Sequence, residues 1–125
     1  MAGTGNITLQ ANVTGGLDGA RSFGPVTITA NAAVAETLTV ALAIGANTIT
    51  VPAGATAAVL FPPNAANPTP NPAFSGSLTL KGIAGDTGVA MSNKTPTVLS
   101  WDTATLPTSL VINSTVTGSM VVWFM

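Results

Sequence analysis

Residues 118–125 read GSMVVWFM. In an extended chain successive side chains alternate between faces, so Met120, Val122 and Phe124 point one way and Val121, Trp123 and Met125 the other. Neither face is polar, and the strand must be covered on both sides. Left open, it would be a template for aggregation. The two coverings can come from the chain's own layers or from sister copies. For Trp123 the reading favours a contact between copies, with Val121 and Met125 beside it.

Outward from this strand the same period of two runs through the sequence. NITLQANVT (6–14) sets Ile7, Leu9, Ala11 and Val13 against Thr8, Gln10, Asn12 and Thr14, the pattern of a half-buried strand. A Gly-rich loop is expected over GGLDGARSFGP (15–25), followed by a strand through Val26 and Ile28. ETLTVALAIG (36–45) faces Leu38, Val40, Leu42 and Ile44 one way. A turn at GAN (45–47) then predicts a hairpin back through Ile49 and Val51. PAGA (52–55) is a second turn, and TAAVLFPP (56–63) is an apolar run stopped by two prolines, the pattern of a fully buried strand. SLTLKG, GVAM, TVLSW and SLVINSTVT precede the opening stretch.

Thr is abundant, and Glu, Lys, Arg and Gln are scarce, which suits sheets and disfavours helices. At 125 residues the chain is a single domain, 1–125, able to bury a core without staples. The expected fold is an all-β, jelly-roll-like antiparallel sandwich of about nine or ten short strands.

PPNAANPTPNPAFSG (62–76) stands apart, with five of the nine prolines. It reads either as a long surface connection or as a stiff arm ending at Phe74 that docks on a neighbour. On the second reading Phe61, Pro62, Pro63, Pro68, Pro70, Pro72 and Phe74 join Val121, Trp123 and Met125 as candidate interface residues.

Composition narrows the chemistry. Charged residues make up 6% of the chain, against about 25% in an ordinary soluble domain, and the net charge is −1. Little electrostatic work opposes contact between copies. Three basic residues give phosphate neutralisation almost nothing to use, so nucleic acid is not an expected partner. With no Cys and no His, the usual thiolate, general base and soft-metal ligands are missing, and no metal or cofactor is expected. The most apolar stretch, LTVALAIGA (38–46), is about half of the roughly 20 residues of a membrane span, so no membrane is expected. MAGTGNITLQ has no basic segment leading into an apolar run, and no secretory signal is expected.

GDTG (85–88) contains the Asp-Thr-Gly triplet of aspartic proteases, whose chemistry needs two carboxylates sharing a proton. Here KGIAG precedes the triplet where that family has an apolar strand. Asp86 is better read as a turn residue whose carboxylate binds nearby backbone N–H groups. Asp18, Asp86 and Asp102 are isolated and form no calcium-loop pattern. Asp18 and Arg21 read as a solvated pair in a turn, or alternatively as a contact between subunits. Trp101 reads as core, and no catalytic residue is expected.

The low charge, the lack of Cys and His, the Thr, Gly and Ala content and a start such as MAGTGNITLQANVTG resemble small structural proteins of tailed bacteriophage virions. IGANTITVPAGATAAVLFPP, LTLKGIAGDTGVAM and SLVINSTVTGSMVVWFM are similar to β-rich proteins that decorate phage heads or build tails. The resemblance implies a non-enzymatic virion component at the capsid surface, most naturally a homotrimeric decoration (cement) protein. Its partners would be the major capsid protein and sister copies. The alternative is a tail- or fibre-associated β-domain that binds a host-surface glycan.

Overall fold

The computed structural model describes residues 5–14, 19–30, 36–65, 74–102 and 104–125. Ten strands run through them: β1 (Gly5–Val13), β2 (Arg21–Ala30), β3 (Glu36–Leu42), β4 (Gly45–Thr50), β5 (Ala57–Phe61), β6 (Leu78–Lys81), β7 (Val89–Met91), β8 (Thr97–Ser100), β9 (Ser109–Ser114) and β10 (Gly118–Phe124). Every pairing is antiparallel. No helix occurs among the described residues.

The last eight strands nest. β3 pairs with β10, β4 with β9, β5 with β8 and β6 with β7. They form one long ribbon of paired strands that doubles back between β6 and β7. Rolling this ribbon lays β10 beside β5 and β9 beside β6. The result is two four-stranded sheets, β3-β10-β5-β8 and β4-β9-β6-β7, packed as a jelly-roll sandwich.

Between the sheets lie Leu42, Ile49, Leu60, Phe74, Leu78, Ile112, Met120, Val122 and Phe124, all buried. Aromatics are few, so close approach has to come from small residues, and Ala55, Ala57 and Ala58 are fully enclosed. Phe74 fits because Gly118 lies beneath it: a Cβ there would sit 2.8 Å from the Phe74 ring.

β1 and β2 form a separate hairpin. Its Ile7 packs on the outer face of the first sheet, against Ala57, Val59, Phe61 and Ala65, with Leu9, Ile28, Val98, Val121 and Met125 around them. Strand β10 is therefore covered on its inner face, and in part on its outer face, by its own chain. The sandwich core takes Met120, Val122 and Phe124, and the hairpin takes Val121 and Met125.

Two local expectations change. β3 and β4 are not a hairpin, because each pairs in a different sheet. Their apolar faces both have to reach one core, and the corner Ala43–Ile44 carries the chain across to the opposite sheet. Asn47 holds that corner, accepting from the Ala43 N–H (2.8 Å) and donating to the Ala43 carbonyl (2.9 Å). Ser22 and Phe23, expected in a loop, belong to β2. The ladder survives Gly24 and Pro25 by a bulge: Leu9 faces Val26 and Ala11 faces Phe23, leaving two residues opposite Gln10. Gly24 has φ +82°, and a Cβ there would meet the Leu9 carbonyl oxygen at 2.5 Å.

Phe124→Ala should lower the free energy of unfolding by about 3–5 kcal/mol. Val89→Ala, at a 70% exposed position, should change it by less than about 0.5 kcal/mol. Equal losses in a denaturant titration would contradict this placement of the core.

Candidate functional site

The outer face of the β3-β10-β5-β8 sheet has the strongest claim to be a working surface. Register aligns Trp123 with Val59 on one side and Thr37 on the other, and Val121 with Phe61 and Thr39. The hairpin covers the β5 half of this face. The β3 half is open, with Thr37, Thr39 and Ala41 exposed. Trp123 stands at the boundary, 36% exposed, its ring edge-on to Phe61 at 4.6 Å between centroids and 61° between planes. An aromatic pair of this geometry holds the indole in place while part of it stays exposed.

The residues read from sequence as contacts divide accordingly. Trp123 is a surface residue. Val121 and Met125 are partly buried beneath the chain's own hairpin. The main chain of Met125 is held by Ala57, which donates to its carbonyl (3.0 Å) and accepts from its N–H (3.0 Å). Phe61, Pro62, Pro63 and Phe74 are buried within the chain, so they are packing rather than contact surface. Pro68, Pro70 and Pro72 lie outside the described residues. Asn64 joins the two ends of the Pro-rich segment, donating from Nδ2 to the Phe74 carbonyl (2.8 Å). Its own backbone N–H donates to Asn93 (3.0 Å). Phe74, read as the tip of an arm, is thus a core residue at the foot of a connection whose ends meet.

The acidic residues serve local turns. Asp86 Oδ2 accepts from the Ile83 N–H (3.0 Å), while the Asp86 N–H donates to the Ile83 carbonyl (3.1 Å). Asp102 Oδ1 accepts from the Ala104 N–H (2.9 Å). Asp18 lies outside the described residues. Among the described residues no three of His, Cys, Asp and Glu come together. Beside the Asp86 turn a shallow groove of about 620 Å³ is bordered by Leu80, Lys81, Val89 and Leu110. A second cleft, of about 490 Å³, opens along the seam between β3 and β4, with Leu38, Val40, Ile49 and Pro52 in its walls and, among the described residues, no charged side chain.

Sequence reasoning missed the exposed apolar residues Phe23, Val26, Ile44, Ile83 and Val89. Val26 and Ile44 alternate correctly for a buried face, and nothing local reveals that their part of the face is left uncovered. Phe23 was hidden by the Gly and Pro next to it.

The two tryptophans separate in role. Trp101 donates from Nε1 to the Ala55 carbonyl (2.8 Å) and packs on the core. Trp101→Phe strands a buried acceptor and should cost about 1–3 kcal/mol of stability. Trp123→Phe should stay within about 0.5 kcal/mol of the parent. Denaturant titration of both variants checks the contrast, which fails if the order is reversed. Compared with family models, with curated proteins and with solved structures, the chain matches none.

Proposed function

We propose that the chain is a non-enzymatic structural protein of a virion, seated on the capsid surface, where it stabilises the head through contacts with capsid subunits and sister copies. The observation that carries this reading is the character of the surface. Phe23, Val26, Ile44, Ile83, Val89 and Trp123 are exposed on a molecule of which 6% is charged. Large apolar side chains left open, with little charge to repel a partner, favour assembly. The jelly roll is a frame shared by capsid proteins and lectins, but a frame does not define a function, so the weight falls on the surface.

The mechanism is mechanical. Each lasting contact would bury roughly 1,200–2,000 Å² in total. A ligand that binds only the assembled head shifts its melting equilibrium by mass action. A closed trimer would cover the apolar surface of each copy without open-ended growth. The tail- or fibre-associated reading would rest on the open face of Trp123 as a stacking platform for a sugar.

The test uses empty heads of the virus that encodes the chain. The protein should bind them at a fixed stoichiometry and raise their thermal midpoint. With so few charges, binding should change less than about threefold between 50 and 500 mM salt, a range over which ion pairs are strongly screened. Absence of binding sinks the proposal. Binding to host cells without any head favours the glycan reading.

A further inference from the structure

The β1–β2 hairpin has one apolar face, and only half of it is used. Register stacks three facing pairs on that side: Ile7 with Ile28, Leu9 with Val26, and Ala11 with Phe23. Toward the turn their cover thins steadily. Ile7 is 9% exposed, Leu9 and Ile28 are half-buried, Val26 is 43% exposed and Phe23 57%. The base of the hairpin is docked, and Val26 and Phe23, farther from it, stand exposed. The reverse face, with Thr8, Gln10, Asn12, Ser22, Thr27 and Thr29, is polar and exposed. This end is therefore two-sided in chemistry, with Phe23 and Val26 on its greasy side exposed. Its course is also specified: the bulge sits at the junction of docked base and free tip, on a glycine whose Cβ-less, positive-φ backbone lies against the Leu9 carbonyl. A bulge at that point aims the tip.

The chain offers a matching vacancy. The sheet face that seats the hairpin base continues past it, through Trp123, onto the exposed Thr37, Thr39 and Ala41 of β3. In one molecule the tip and this strip are both exposed. The base of the hairpin already shows that a Leu/Ile/Val stripe packs on this face, and the tip repeats the same stripe. Among the described side chains neither surface has an ionisable one.

We propose that the hairpin tip, through Phe23 and Val26, docks on the Trp123 margin of a second copy of this chain, so that copies join head to tail. Contacts of this kind close into rings when the rotation permits. The inference deepens the assembly reading given above and rests on it for the sister contact, but not for the capsid contact.

The test uses three variants of the full chain: Phe23→Thr with Val26→Thr (tip), Trp123→Thr (seat) and Val89→Thr (an exposed apolar site elsewhere). Threonine keeps the strand preference, and unfolding midpoints measured at dilute, monomeric concentration report whether each variant folds like the parent. Light scattering on a sizing column should show the parent as a closed oligomer at micromolar concentration, and Val89→Thr the same. The tip and seat variants should each associate at least about tenfold more weakly. Mixed together, the two defective variants should form a one-to-one pair, since one keeps an intact seat and the other an intact tip. Tip or seat variants that associate like the parent overturn the proposal. A mixture that forms no pair overturns the head-to-tail seating, as a tip-to-tip contact would predict. A parent that stays monomeric at high concentration yet coats empty heads overturns this inference and leaves the decoration reading standing. An intact ring that ignores heads does the reverse.

Discussion

Strand β10 is hydrogen-bonded to β3 on one edge and β5 on the other, and apolar layers lie against both of its faces. An interior strand position suits a segment without a polar side. Placing it there forces the rest. An interior strand needs neighbours from distant parts of the sequence, here residues 36–42 and 57–61. Those neighbours have to return to the opposite sheet to close the core. A second cover, the β1–β2 hairpin, is then required over the outer face, because Val59, Phe61, Val98 and Val121 would otherwise present one contiguous apolar surface.

The core answers a shortage of large side chains with closeness. Three alanines are fully enclosed, and the prolines Pro62 and Pro63 are buried where β5 ends. Proline lacks a ladder donor, so it can fill volume at the end of a strand but cannot extend the strand. Phe74 crosses over the neighbouring Gly118 and closes the end of the sandwich from which the Pro-rich segment leaves. The buried hydroxyl of Ser114 donates to the Val116 carbonyl (2.6 Å), so this polar atom of the interior carries no desolvation debt.

Most of the fold could be read from periodicity. Alternation and turn residues located the strands, the fully buried β5 was visible as AAVLF, and the Asp86 turn followed from its glycines. What stayed hidden depends on contacts between residues far apart in sequence. Alternation in ETLTVAL and GANTIT looks the same whether the two strands pair with each other or face each other across a core. Likewise, the two faces of β10 told that covers were needed but not whose they were. Phe61 and Phe74 look identical in sequence to surface anchors, and only the three-dimensional packing reveals them as interior. Phe23 shows the converse: a bulge let a strand pass through a Gly-Pro pair that local rules read as loop.

On the proposed reading, hydration and assembly would draw on the same surface. With so little charge, hydration of the open strands falls to hydroxyls and amides, as on Thr37, Thr39, Thr48 and Thr50, all exposed. Threonine combines a β-branched shape that suits a strand with a group that water can bind, so it maintains both sheet and solubility without long-range repulsion. The consequence is a surface on which shape and apolar fit, rather than charge, decide which contacts last. Such contacts are short-ranged and only weakly sensitive to salt, and they tighten with concentration. On the proposed capsid seat, a particle lattice would supply that concentration by holding many copies at fixed spacing, where a modest pairwise attraction would become a cooperative coat.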